Sequence, residues 1–287
     1  MFKRISITLF IVAIAASIIY SQYHTYTENP WTRDGQVRAH VIQITPRVTG
    51  QIVRMSVEDN EHVRKGQLLF TIDPSIYQTS LSKAIASEKQ AAALLKKAKN
   101  EDYRAINLEK LTPGAQSELT LNNLQNAIET AEANLLLAKA QVEEAELNLD
   151  YTQIIAPTDG YITNLSYRVG SQVIANNPVV ALIDETSFWI EGFFKETDLN
   201  DVAPHNKAQV TLLMHDSEML TGEVQSIGYG ISKTDGSTGN SLLPNVNPSF
   251  QWIRLAQRIP VKIKLNQLPK GLQLRAGMTA SVKIIKH

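Results

Sequence analysis

Six histidines, 28 carboxylates and no cysteine are the chain's stock of groups that bind metals or move protons. The histidines (His24, His40, His62, His205, His215, His287) include no pair spaced for one helix face or for a zinc site, so they read as exposed or structural. Without cysteine there is no disulfide, no thiolate metal site, no thiol nucleophile and no lipidated anchor. Gly228-Tyr229-Gly230 and the glycines of 236–239 lack the strand–turn–helix setting of a phosphate loop. No nucleophile-elbow motif suggests a Ser/His/Asp set. The residues therefore predict no enzyme, no metal and no bound cofactor. The 28 basic and 28 acidic residues cancel, which removes the electrostatic footprint of a nucleic-acid binder. What remains is a protein that works by contact.

The elements that would position such contacts follow from a pattern that occurs twice. Gly50-Gln51-Ile52 runs to Val63 and closes on Ile72-Asp73; Gly160-Tyr161-Ile162 runs to Val173 and closes on Ile183-Asp184. The glycines are 110 residues apart and the Ile-Asp pairs 111, so one extra residue is expected near Asn176-Asn177. Two matching halves this far apart predict one small β-domain split by an insertion.

The insertion reads as two helices. Asp73-Pro74-Ser75 supplies a cap and a first-turn proline, and no glycine or proline follows from Ile76 to Leu111. Thr112-Pro113-Gly114-Ala115-Gln116 breaks the helix and Ser117 begins the return. Leu121, Leu124, Ile128, Ala131, Leu135, Ala138, Val142, Ala145 and Leu149 then alternate by threes and fours, the seam of a coiled coil. The outgoing segment answers with Ala84, Ala91, Ala98 and Ala105, flanked by Leu81 and Leu95 and interrupted by Glu88 and Asp102. An antiparallel hairpin of ~50 Å is expected at 1.5 Å per residue.

At the N-terminus, Lys3 and Arg4 precede an uncharged run from Ile5 to Tyr23. Its length, ~28 Å as a helix, matches a bilayer core, and the basic flank places the rest of the chain outside the cytoplasm. Ala13-Ile14-Ala15 also fits a signal-peptidase site, although the apolar run continues past it. Both readings export the chain.

These observations predict a mainly β fold with a long coiled-coil hairpin. The expected segments are a transmembrane anchor (1–24), a linker and membrane-proximal strand (25–45), a first half-unit (46–74), the hairpin (75–152), a second half-unit (153–185), and a β-barrel with further membrane-proximal strands (186–287). Thr25 to Asp34 reads as linker and Gln36 to Ile44 as one strand, adding to a third layer. A mobile Gly/Ser/Asn/Pro-rich loop is expected over 228–250.

The split β-unit around a helical hairpin, the anchor and the following barrel resemble the HlyD-type membrane fusion proteins, the periplasmic adaptors of bacterial efflux pumps and type I secretion systems. The half-units resemble lipoyl/biotinyl domains. Those carry a modified lysine at the hairpin joining their halves; here the long insertion replaces that hairpin, so no lipoate or biotin is expected. Pro30-Trp31-Thr32-Arg33-Asp34 and Trp252 to Val261 look most like the adaptor subunit of aromatic carboxylic acid (p-hydroxybenzoic acid) efflux pumps. The resemblance implies an adaptor in the inner membrane, with its bulk in the periplasm. Its partners would be an inner-membrane transporter, an outer-membrane channel and further copies of itself in a ring. The alternative within the family is an adaptor for protein secretion driven by an ABC transporter. Family adaptors often meet the channel through an Arg-Leu-Ser set at the hairpin tip. Leu111 and Ser117 fall where that pattern expects Leu and Ser, while Arg104 lies farther back than its arginine. The resemblance thus implies channel contacts at Leu111, Thr112, Ala115 and Ser117, and transporter-proximal positions at Trp31, Arg33, Arg254 and Arg258.

Overall fold

The computed structural model describes residues 29–230, 256–269 and 271–286, together with residues 10, 14–17 and 20. Most of the expected anchor, most of the 228–250 loop, and Arg254 lie outside the described residues. Among the described residues, no helix is long and apolar enough to cross a membrane. The chain divides into two compact units, one of residues 41–183 and one of 1–40 with 184–287.

Strand β1 (Trp31–Arg38) belongs to the other unit, and the 41–183 unit opens with β2 (Val41–Ile44). Next come β3 (Gly50–Met55), β4 (His62–Val63) and β5 (Leu68–Ile72). Beyond the hairpin lie β6 (Gln153–Ile155), β7 (Gly160–Thr163), β8 (Gln172–Val173) and β9 (Val180–Asp184). One sheet runs β2-β9-β7-β4 and the other β6-β5-β3-β8. Each sheet takes two strands from each half of the repeat, and moving every strand of one by its repeat partner generates the other. The pairing is reciprocal down to single residues. Gly50 pairs with Val173, and Val63 with Gly160. Asn60 N–H donates to Ile162 O at 3.0 Å, and Gly170 N–H to Ile52 O at 2.8 Å. The left-handed positions repeat as well, Asn60 with Gly170 and Gly66 with Asn176.

These registers correct the expected spacing. Ile154 pairs with Phe70 and Ile44 with Val180, so the offset stays at 110 up to the closing strands. Ile72 therefore corresponds to Leu182 rather than to Ile183, and no extra residue is present. Burial gives the reason: Phe70, Ile72, Val180 and Leu182 all point into the core, whereas a one-residue slip would turn the strand's apolar face outward. The two Ile-Asp pairs are alike in sequence only.

The core between the sheets holds Ile52 and Ile162, Val63 and Val173, and Phe70, Ile72 and Leu182, all 0–1% exposed. Each such side chain contributes about 1.5–3 kcal/mol by leaving water. Glycine opens each half because the sheets come too close for a Cβ. At Gly160 it would lie 2.1 Å from the Ile183 carbonyl oxygen; at Gly50 it would lie 2.5 Å from Ile72 Cγ2.

The outgoing helix is Ser75–Leu111 and the return helix Glu118–Asp150. Asp73 Oδ1 accepts from the Ser75 amide at 3.0 Å and its hydroxyl at 2.6 Å, which closes the first turn. The Ser75 hydroxyl bond, then its amide bond, lowers the Asp73 pKa. All nine residues of the expected return stripe are buried or half-buried. They face a half-buried series on the outgoing helix that includes Leu81, Ala84, Glu88, Ala91, Leu95, Ala98, Asp102 and Ala105. The two carboxylates, Glu88 and Asp102, are themselves half-buried in this seam. Lys99 Nζ reaches Glu132 Oε1 across the pair at 2.7 Å.

The other unit is a closed barrel ordered β1-β10-β13-β12-β11-β14. Its strands are β1 (Trp31–Arg38), β10 (Trp189–Lys195), β11 (Lys207–Leu212), β12 (His215–Ile227), β13 (Arg258–Leu265) and β14 (Thr279–Ile285). Val37, Ile190, Val210, Val261, Ile263, Ala280 and Ile284 fill it, each at 0% exposure. Two expectations are corrected here. The expected single strand 36–44 divides, and residues 31–34, expected as linker, belong to β1. The break falls at His40, whose N–H donates to Ser187 Oγ at 2.8 Å and whose carbonyl accepts from Asp184 N–H at 3.1 Å. Nor do the described strands form a separate membrane-proximal layer. β1 pairs with both β10 and β14, which closes the barrel and leaves no free edge to found one.

Gly160→Ala is expected to destabilise the 41–183 unit by about 1–3 kcal/mol, the range for forced overpacking. Leu136→Ala, at a side chain 71% exposed, should stay within about 0.5 kcal/mol. Urea denaturation compares them, and equal midpoints would contradict the close approach.

Candidate functional site

The hairpin tip is built by a carboxylate. Glu109, in the last turn of the outgoing helix, accepts from Gly114 N–H on Oε1 at 2.7 Å and from Gln116 N–H on Oε2 at 2.8 Å. Both are turn amides that the helices leave unpaired. Gly114 takes φ +87°, a conformation suited to glycine, and so turns its amide toward the carboxylate. Thr112 N–H caps the outgoing helix on Leu108 O at 2.9 Å, and its own carbonyl accepts from Ala115 N–H at 3.1 Å. Ser117 caps the return helix, its Oγ accepting from Thr120 N–H at 3.1 Å. Leu111 is left 83% exposed with no intramolecular packing role. The bond from Gly114, then that from Gln116, holds the Glu109 pKa below its ordinary value of 4.5.

The four tip residues singled out in the sequence, Leu111, Thr112, Ala115 and Ser117, thus share one turn. Thr112 and Ser117 act in the turn's own bonding, whereas Leu111 faces solvent. Sequence reasoning missed Glu109. Its signal was a glutamate at the end of a helix, five residues before the turn glycine.

The barrel unit carries a second candidate. A cleft of about 470 Å³ is lined by Asn29, Trp31, Arg33, Phe193, Lys195, Asp198, Arg258 and Lys286, among others. It gathers three of the four residues expected near a transporter: Trp31, Arg33 and Arg258. Trp31 and Arg33 stand two apart on β1 and so share a face; the guanidinium lies 5.4 Å from the indole centroid. Arg258 pairs with Asp34. Arg33, Lys195 and Lys286 form no ion pair among the described residues. Lys195 and Lys286 were missed because they reach the cleft from the end of β10 and from just beyond β14, both far from Trp31 in sequence. An adjoining groove of about 420 Å³ shares Asn29, Trp31, Thr32 and Arg33, and is walled by Met219, Thr211 and Val282.

Among the described residues, no histidine lines the cleft. His40 packs on Trp189 at 4.9 Å, and His62 meets Tyr161 edge-on at 5.0 Å.

A split sandwich with a helical hairpin and, after it in the chain, a closed barrel define the fold. Residues 40–185 match the family described as RND MFP, barrel-sandwich hybrid domain, and 187–285 match the AAEA-like beta-barrel domain. The chain belongs to the membrane fusion protein (MFP) family, whose members are non-enzymatic adaptors. It is 36% identical over 277 residues to the uncharacterized protein YdhJ of Escherichia coli (strain K12), covering 96% of each chain. Its fold is similar to that of MacA from Actinobacillus actinomycetemcomitans, with a TM-score of 0.69, 22% identity, and coverage of 89% of this chain and 79% of that one. The membrane fusion protein Spr0693 from Streptococcus pneumoniae R6 is similar at a TM-score of 0.65, with 15% identity, covering 90% and 99%.

Because the Glu109 pKa is lowered by folding, its contribution is present above pH 4.5 and lost as pH falls through the depressed value. Hydrogen exchange at the Gly114 and Gln116 amides should therefore accelerate on acidification relative to the helix interior. Glu109→Gln, with one weaker acceptor and one donor, should give the fast pattern at neutral pH; unchanged protection would exclude the carboxylate as the tip's organiser.

Proposed function

We propose that the chain is the periplasmic adaptor of a tripartite efflux pump, linking an inner-membrane transporter to an outer-membrane channel. The observation that carries this reading is the tip. An exposed Leu111 sits beside a turn whose backbone is already tied down by Glu109, at the end of two helices of 37 and 33 residues. A surface fixed in advance loses little conformational entropy on docking. Residues 1–24 would anchor the chain in the inner membrane as a single span, and the barrel with Trp31, Arg33, Arg254 and Arg258 would engage the transporter. Copies would assemble as a ring around a conduit, with head-to-tail contacts between protomers. Leu94, Leu136 and Leu137 support lateral packing, being 52–71% exposed outside the hairpin's own seam. Multivalency would make weak single contacts durable. Small aromatic acids or drugs are the proposed cargo, on the likeness of 30–34 and 252–261 to aromatic-acid adaptors. The transporter would supply the energy.

In-cell photocrosslinking tests the contacts. Reactive residues at Leu111 and Ser117 are expected to capture an outer-membrane channel, and one at Arg258 an inner-membrane transporter. Leu111→Asp should lower tolerance to aromatic acids without lowering the amount of folded protein. Capture of neither partner, with tolerance unchanged on deleting the gene, would sink the adaptor reading.

A further inference from the structure

We infer that the basic cleft of the barrel and its adjoining groove form one site for an anionic phospholipid, with the phosphodiester headgroup in the cleft and the start of an acyl chain in the groove. Two observations carry this. The first is charge. In a chain with 28 cations and 28 anions, the cleft gathers Arg33, Lys195, Arg258 and Lys286 against the single lining carboxylate of Asp198. Arg258 is occupied by Asp34, and the other three have no anionic partner among the described residues. A phosphate held by such donors gains charge-assisted hydrogen bonds.

The second observation is the amphipathic continuation. The groove opens from the same β1 residues that wall the cleft; across it Met219, 63% exposed, is the large apolar side chain, set among Gln209, Thr211, Ser281 and the Lys283 ammonium. Trp31 stands at the junction, 44% exposed, as an indole does where an apolar phase meets a polar one. A free phosphate or a sugar phosphate would use the cleft and leave the groove empty; a glycerophospholipid has the chemistry for both.

Position supports the same ligand. Asn29 at the cleft lies six positions beyond Tyr23, the end of the uncharged run, a reach of at most ~20 Å. This placement rests on the anchor proposed above, whereas the chemistry of the cleft does not. Near a bilayer surface each cation facing anionic lipid is worth ~1 kcal/mol, so the site would hold the barrel against the membrane.

The test uses the full chain with Trp189→Phe and Trp252→Phe, which leaves Trp31 as the single indole, and nanodiscs of phosphatidylcholine with or without phosphatidylglycerol. Co-elution with phosphatidylcholine discs reads the anchor; Trp31 emission reads the cleft. The expected result is a blue shift of Trp31 in phosphatidylglycerol discs alone. Lys195→Gln and Lys286→Gln should each weaken this response roughly fivefold, and Lys97→Gln on the hairpin should leave it unchanged. Met219→Gln should reduce the shift in discs while leaving binding of free glycerol phosphate unaltered. The inference is overturned by equal emission in both kinds of disc, by a full response in the Lys195→Gln/Lys286→Gln double variant, or by an equal shift with glycerol phosphate alone.

Discussion

Reciprocal strand exchange between two halves 110 residues apart is the constraint on which the 41–183 unit depends. Neither half is a sheet by itself: β3 and β5 need β6 and β8, while β7 and β9 need β2 and β4. The halves therefore fold together, and whatever the chain inserts between them must leave and return at neighbouring points. Ile72 N–H donates to Thr152 O at 2.8 Å, so the two helices start and end on adjacent backbones. That bond, more than any feature of the helices, makes the insertion a hairpin. Gly50 and Gly160 are part of the same constraint, since a Cβ at either would push the closing strand of its own half away.

Magnitudes separate the roles of the two regions. The sandwich buries a dense apolar set, each large member worth about 1.5–3 kcal/mol. The outgoing helix buries no residue, and the return helix only Ile128, Ala138 and Ala145. The cross-helix pair Lys99–Glu132 is half-exposed on both sides and belongs to the class worth about 0–1 kcal/mol. The hairpin thus leans on intrinsic propensity, on its thin alanine-rich seam and on its rooting in the sandwich. Glu88 and Asp102 in the seam cost little because their positions are half-open to water. They also exclude a fully apolar stripe, which would favour pairing with other helices over closure of the hairpin.

What the sequence disclosed follows the length scale of each signal. The return stripe was legible residue by residue because a heptad seam repeats its signal for 33 residues. The repeat was legible through its glycines and buried valines, but its last step was misread. Two identical Ile-Asp pairs outweighed the alternation that fixes register, and β9 is too short to show that alternation plainly. The barrel was legible over 186–287, but β1, the strand that closes it, was not. A strand's two neighbours are chosen by distant segments, so β1 read as part linker and part separate layer. The tip turn was found from Pro113, Gly114 and Ser117, yet its organiser, Glu109, was hidden inside a helical pattern where a glutamate reads as solvated surface. The basic cleft was half-visible: Trp31 and Arg33 stood out as neighbours, whereas Lys195 and Lys286 are joined to them only by the pairing of β1 with β10 and β14.

The use of a carboxylate at the tip follows from the geometry it must satisfy. Two amides in the turn, those of Gly114 and Gln116, point inward, and a single side chain has to serve both. A carboxylate offers two acceptor oxygens and no donor, so both amides are satisfied at 2.7 and 2.8 Å without a competing N–H. A glutamine would meet one amide with its own donor and lose that bond. The demand on Leu111 differs. Leu111 is exposed, and as a helix-terminal residue followed by a tied turn it is also held in a fixed direction. Fixing the turn through Glu109 leaves structural duty to one further tip side chain, that of Ser117, which caps the return helix, while Thr112 caps the outgoing helix through its backbone. The tip can therefore vary in its outward residues without unravelling its backbone, which is the condition a recognition surface has to meet if its partner is to be changed while its scaffold is kept.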